Sequence, residues 1–233
     1  MADRSRTERI ASVAALDDAT SRALFDFVSR AAGAITRDAA ADAVGVSRRI
    51  AAAHLDKLAE QGLLSVEFRR LHNRTGPGAG RPAKLYRRAP DEVVVSVPDR
   101  HYDLAANLLA AAVTEAIDTG AEVGDIARRT AYDTGRAIGD ASRDLLTALI
   151  ETGYEPQEDG GGLVLANCPF HRLARQYTDL VCGLNLHLLR GMTDGARASY
   201  NLVLDPAPER CCVRLKKTGS STEAGSSTEA GSG

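Results

Sequence analysis

Apolar residues recur at intervals of three and four between positions 16 and 28, where Leu16, Ala19, Ala23, Leu24, Phe27 and Val28 share one face. That period predicts an amphipathic helix ending before Gly33. A short helix is expected over 36–44 with Thr36 as its cap; Gly45 and Val46 then make a tight turn before Ser47, a second capping residue. The helix opened by Ser47 runs over 48–60 and stops at Gly62. It carries Ile50, Leu55 and Leu58 on one side and leaves Arg48, Arg49, Ala53, His54 and Lys57 largely free.

Beyond Gly62 the pattern turns extended. Segments 63–70 and 84–88 flank the Gly/Pro-rich stretch HNRTGPGAGRP, which predicts a β-hairpin with a flexible tip. A short extended connection over 93–98 leads to a helical region over 99–150, broken near Gly120. After Tyr154 come a strand at 163–166, a helix at 171–192, and strands at 200–204 and 211–216. Past Thr218 the hexamer GSSTEA occurs twice, a composition too polar to bury an ordered core. The expected fold is therefore mainly α with an α+β C-terminal domain. It comprises a winged helix-turn-helix over 1–90, a cysteine-bearing sensor and dimerisation domain over 91–217, and a disordered tail over 218–233.

The 233 residues are 44% hydrophobic and 26% charged, an ordinary globular balance that suits two modest domains. No apolar run reaches the roughly 18 to 20 residues a membrane span needs, and MADRSRTERI lacks a signal-peptide core, so a cytoplasmic protein without membrane contact is expected. The net charge of -2 hides a local excess. In the hairpin Arg69, Arg70, Arg74, Arg81, Lys84, Arg87 and Arg88 are opposed within the segment only by Glu67, a cationic patch suited to phosphates.

A short helix, a glycine turn and a Ser47-opened helix form the arrangement that lays a helix in a major groove. Arg48 and Arg49 at its start are candidates for guanine reading, each good pair worth roughly 1–3 kcal/mol of discrimination. His54 and Lys57 follow along the groove, and Arg74 and Arg81 at the tip suit a narrow minor groove. The expected partner is a double-stranded DNA operator. A homodimer is expected too, because one recognition helix contacts too few bases, and the alanine-rich helices of 99–150 offer close-packing faces.

All four cysteines, Cys168, Cys182, Cys211 and Cys212, fall in the last third. Their spacing is not that of a zinc ribbon, which uses C-x-x-C clips. A loop, a helix and a strand must instead bring the thiolates together, an arrangement suited to a soft metal or an iron–sulfur cluster. Strand alternation makes Cys211 the better inward ligand of the adjacent pair, and both ligate only if Cys211 sits in an irregular turn. His171 and His187 lie in the same helical region as Cys182. Direct thiol oxidation, zinc or a small organic effector are alternative uses of the same residues.

The segments GRPAKLYR (80–87), LANCPFHRLA (165–174), LVCGLNLHLLRGM (180–192) and LDPAPERCCVRL (204–215) resemble the bacterial ArsR/DeoR-like winged-helix regulators that include SufR-type repressors. That resemblance, covering most of residues 10–217, implies a dimeric repressor of an iron–sulfur cluster assembly operon. It further implies a [4Fe-4S] cluster held by Cys168, Cys182 and Cys211 or Cys212. No enzymatic activity is expected, since Cys168 precedes Pro169 rather than opening a helix as a Cys-His nucleophile would.

Overall fold

A computed structural model describes residues 4–70, 82–207 and 210–218. The chain divides into two compact units, Met1–Val95 and Ser96–Gly233, where the sequence placed its boundary near residue 90. Both mix helices with a small antiparallel sheet. No helix among the described residues is long and apolar enough to cross a membrane.

In the first unit α1 (Arg6–Ala14) precedes the helix expected from the apolar period, a helix the pattern did not reveal. A reciprocal box stabilises its start: Glu8 N–H donates to Ser5 Oγ, and the Glu8 carboxylate accepts from Ser5 N–H. Helix α2 (Ala19–Arg30) begins three residues later than the period suggested, because Asp18 caps it by accepting from Ser21 N–H at 2.7 Å. Thr36 and Ser47 cap α3 (Arg37–Val44) and α4 (Arg48–Glu60). Between these helices Gly45 adopts φ 72°, a left-handed conformation that a side chain would strain.

Leu24, Ala51, Leu55 and Leu58 are fully enclosed in the core of this unit. Ile50, assigned to the same face by sequence, is 43% exposed; Ala51 occupies the inward position instead. Strands β2 (Leu64–Arg69) and β3 (Ala83–Arg88) pair in register from Leu64↔Arg88 to Arg69↔Ala83. The two-residue β1 (Ile35–Thr36), not foreseen, adds to the other edge of β3. The hairpin tip, with Arg74 and Arg81, lies outside the described residues, as does the tail from 219 onward.

The second unit holds α5 (Tyr102–Thr119), α6 (Val123–Ala141) and α7 (Leu145–Glu151). The helical region thus breaks twice, at Gly120 and again where Asp144 caps α7 by accepting from Thr147 N–H. Strands β4 (Pro156–Glu158), β5 (Gly162–Leu165), β6 (Tyr200–Leu204) and β7 (Val213–Lys217) form a sheet in the order β4-β5-β7-β6. The single helix expected over 171–192 is two, α8 (His171–Gln176) and α9 (Thr178–Gly195), separated where Tyr177 leaves helical geometry at ψ 59°.

Helices α6 and α9 touch backbone to backbone. A methyl added at Gly135 would strike the Leu188 carbonyl, one at Gly139 the Met192 carbonyl, one at Gly191 the Tyr132 carbonyl and one at Gly195 the Arg136 carbonyl. Four glycines therefore set how closely α9 approaches α6, and α9 carries Cys182.

Candidate functional site

The four cysteines of the second unit come from three places in the chain: a loop, a helix and the segment before a strand. Cys168 lies in the loop between β5 and α8, where its carbonyl accepts from His171 N–H at 3.1 Å and its sulfur accepts from Phe170 N–H. Cys182 projects from the second turn of α9. Cys211 and Cys212 precede β7, which starts at Val213 rather than at Cys211, so strand alternation does not govern them. Irregular backbone lets both turn inward, and it is pinned on each side: Cys211 N–H donates to the Leu165 carbonyl at 2.9 Å, and Asp205 N–H to the Cys212 carbonyl at 2.7 Å.

All four thiols are buried and free of disulfides. They interact in sequence: Cys182 with Cys212, Cys212 with Cys211, and Cys211 with Cys168. Cys168, Cys182 and Cys212 line a cavity of about 550 Å³ together with His171, Arg175 and Arg210, while Cys211 is sealed behind it at 0% exposure. His187 does not line this cavity.

The electrostatics alternate along the chain of sulfurs. Hydrogen bonds from Cys182 and then Cys211 lower the Cys212 thiol to about 4, against the raising effect of burial. Cys168 is lowered as well, first by Cys211 and despite burial. Cys182, donating to Cys212, and Cys211, donating to Cys168 and Cys212, are both raised, and burial raises them further. Neighbouring thiols thus push Cys168 and Cys212 toward the thiolate, and neighbouring thiols together with burial push Cys182 and Cys211 toward the thiol. Among the described residues no group of three or more His, Cys, Asp or Glu side chains is arranged as a ready metal cage.

The Cys168 loop is also bound to the first residues of the second unit. Arg100 donates through Nη1 to Asn167 Oδ1 and to the Cys168 carbonyl, the latter at 3.1 Å. Asn167 Nδ2 donates to the Asp99 carbonyl at 2.9 Å and the Gly153 carbonyl at 2.6 Å, and His101 N–H donates to the Pro169 carbonyl at 3.3 Å. Nothing in the sequence pattern pointed to Arg100 or Asn167, whose roles depend on contacts across more than sixty residues.

In the first unit the candidate cations fall into two groups. Arg48 pairs with Asp38 on α3 at 2.7 Å, Lys84 with Asp56 on α4 at 2.5 Å, and Arg69 weakly with Glu67 at 3.9 Å. His54 faces Ser21 Oγ through Nδ1 at 2.9 Å, with Asp18 3.4 Å away, so it helps join α4 to α2. Asp56 therefore opposes the hairpin alongside Glu67. Burial pushes its carboxyl up, but Lys84 and the hydroxyl of Tyr86 bond to it and hold it below the usual range. Arg49, Lys57, Arg70, Arg87 and Arg88 are exposed, and no ion pair engages them among the described residues. Ser47 spends its hydroxyl on the α4 cap, accepting from Ile50 N–H.

No protein-family model matches the chain, and neither a curated protein nor a solved structure is significantly similar to it.

Proposed function

We propose that the chain is a DNA-binding transcriptional repressor, with a winged helix-turn-helix in its first unit and a thiol-based sensor in its second. The observation that carries this reading is the succession of α3, the left-handed Gly45 turn, the Ser47-capped α4 and a hairpin whose Arg70, Arg87 and Arg88 are exposed and in no ion pair among the described residues. In it, α4 enters a major groove with Arg49 and Lys57 toward bases or phosphates. Arg70, Arg87 and Arg88 meet the backbone, with Arg74 and Arg81 at the tip. Arg48 and Lys84 orient α4 and the hairpin through their acids and contact DNA only by leaving those pairs. The operator is double-stranded DNA, read by a cytoplasmic homodimer on two half-sites.

The donor set of the second unit fits a soft metal centre, because it consists of thiols, three of them facing one cavity and two of these shifted toward the thiolate. Cys168, Cys182 and Cys212 would hold a [4Fe-4S] cluster, with Cys211 as the interior thiol. Such a cluster, when bound, supplies redox and oxygen sensitivity. The chain's own part is to favour the thiolate at Cys168 and Cys212 and to shield Cys211. It also couples the Cys168 loop, through Arg100 and Asn167, to the segment that enters the second unit just after the first ends. The regulated genes would be those of iron–sulfur cluster assembly. A second reading, direct thiol oxidation, is favoured by the direct contact of Cys168 with Cys211.

Anaerobic purification followed by iron, sulfide and zinc analysis tests the sensor, in parallel with DNA binding before and after exposure to air. Bound iron and sulfide with an oxygen-dependent affinity for DNA is the expected result. Metal-free protein whose DNA binding ignores both oxygen and peroxide would remove the sensor.

A further inference from the structure

Helix α4 carries one polar side chain held on its inner edge and open on its outer one. His54 turns Nδ1 inward to Ser21 Oγ at 2.9 Å, with Asp18 Oδ1 3.4 Å away. Asp18 accepts from Ser21 N–H and engages the Ser21 hydroxyl as well, so three side chains form a row from α4 to the start of α2. Serine, histidine and aspartate together invite a nucleophilic reading. Ser21 is only 1% exposed, which closes its hydroxyl to a substrate and makes the row a positioning device.

That row fixes where the ring keeps its proton. A carboxylate only accepts, so the Ser21 hydroxyl turns its proton to Asp18 and offers His54 a lone pair. Both neighbours of Nδ1 then require a donor, and the neutral ring is protonated at Nδ1 and bare at Nε2. Nε2 makes no hydrogen bond among the described residues and is not enclosed, in a side chain 29% exposed. Ile50, four residues earlier, is 43% exposed, and Lys57, three residues later, is exposed too. The outer edge of His54 therefore belongs to the open stripe of α4.

We infer that His54, on the reading that α4 enters a major groove, is a specificity-determining residue whose Nε2 accepts a hydrogen bond from the exocyclic amino group of adenine or cytosine. Arg49 and Lys57 carry only donors, which meet phosphate or the acceptors of guanine. A bare ring nitrogen meets a donor instead, and the major groove presents two: adenine N6 and cytosine N4. Ser21 and Asp18 act through His54, holding the tautomer that accepts.

The test uses the full chain at about pH 8, where an ordinary imidazole is neutral. Long-range nitrogen–proton correlation, assigned by the signal missing from His54→Ala, should show Nδ1 protonated and Nε2 bare. Wild type and His54→Ala are then titrated with duplex DNA from the chain's own upstream region, in which each adenine or cytosine is replaced in turn by an analogue lacking the amino group. Expected is a position where that deletion weakens wild-type binding at least about fivefold and leaves His54→Ala unmoved. Lost packing alone would weaken every duplex by the same factor. If His54→Ala does not fold, as read by far-UV circular dichroism, His54→Leu decides by the same criterion. A ring protonated at Nε2, or equal sensitivity of wild type and variant at every position, overturns the inference while DNA binding stands. Wild-type protein that binds no duplex removes the groove reading and the inference together.

Discussion

The first unit keeps its candidate cations at the surface, whereas the second encloses its four thiols. Arg48 and Asp38 are each more than half exposed, so their contact is screened by water and salt and contributes at most about 1 kcal/mol. Cys211, Asn185 and Tyr154 are almost completely enclosed, and there each hydrogen bond decides where a proton resides. The contrast separates two kinds of work. A surface that meets phosphates must keep its charges hydrated and exchangeable; a site that registers a chemical change must make one proton or one bond matter.

The sharpest break between the regions concerns the cavity. Cys212→Ser should abolish metal retention after anaerobic reconstitution. Cys211→Ser should keep it within about the 10–100-fold affinity loss of an outer partner, as read by iron and sulfide content. Equal losses would place both sulfurs on the metal. Next, Gly191→Ala drives a methyl into the Tyr132 carbonyl and should lower the stability of the second unit by about 3 kcal/mol. Hydrogen exchange would show the loss in α6 and α9 and none in α2 or α4.

A third test uses pH. Cys212 is depressed to about 4, so the stability it confers is complete above the ordinary thiol pKa of about 8.5 and is lost as pH falls toward 4. Cys182 and Cys211 are raised, so their share is complete below that ordinary value and is lost as pH rises beyond it. The resistance of the second unit to urea should therefore be greatest near pH 8.5, about the ordinary thiol pKa, and fall on both sides of it, with Cys212→Ser flattening the acid limb. The smallest effect belongs to the surface. Arg49→Ala should weaken DNA binding by about 1–3 kcal/mol, and Arg48→Ala by less, since Asp38 already engages Arg48.

The same contrast explains what was legible in the chain. Caps and turns are local chemistry, so Thr36, Gly45 and Ser47 were readable, as was the pairing of β2 with β3 on either side of a Gly/Pro-rich stretch. Helix α1 escaped because its signal is a capping box with little apolar face, and Ile50 was misplaced because a small Ala51 can fill a tight inward position. The break at Tyr177 has no Gly or Pro to announce it. Cysteine composition pointed to a thiol site. The order in which the sulfurs meet was hidden, since it depends on β7 starting two residues after Cys211 and on α9 approaching α6 through four glycines. Asn185 and Arg100 were invisible for the same reason: their partners are distant in sequence.

The most direct measurement is fluorescence anisotropy of the full chain titrated onto duplex DNA from its own upstream region, in dilute and then moderate salt. It is made with the thiols reduced and metal-loaded, and again after air oxidation. The account predicts binding that weakens steeply as salt rises and an affinity differing at least tenfold between the two states, about 1.4 kcal/mol of coupling. Absence of binding in both states, even in dilute salt, would contradict it.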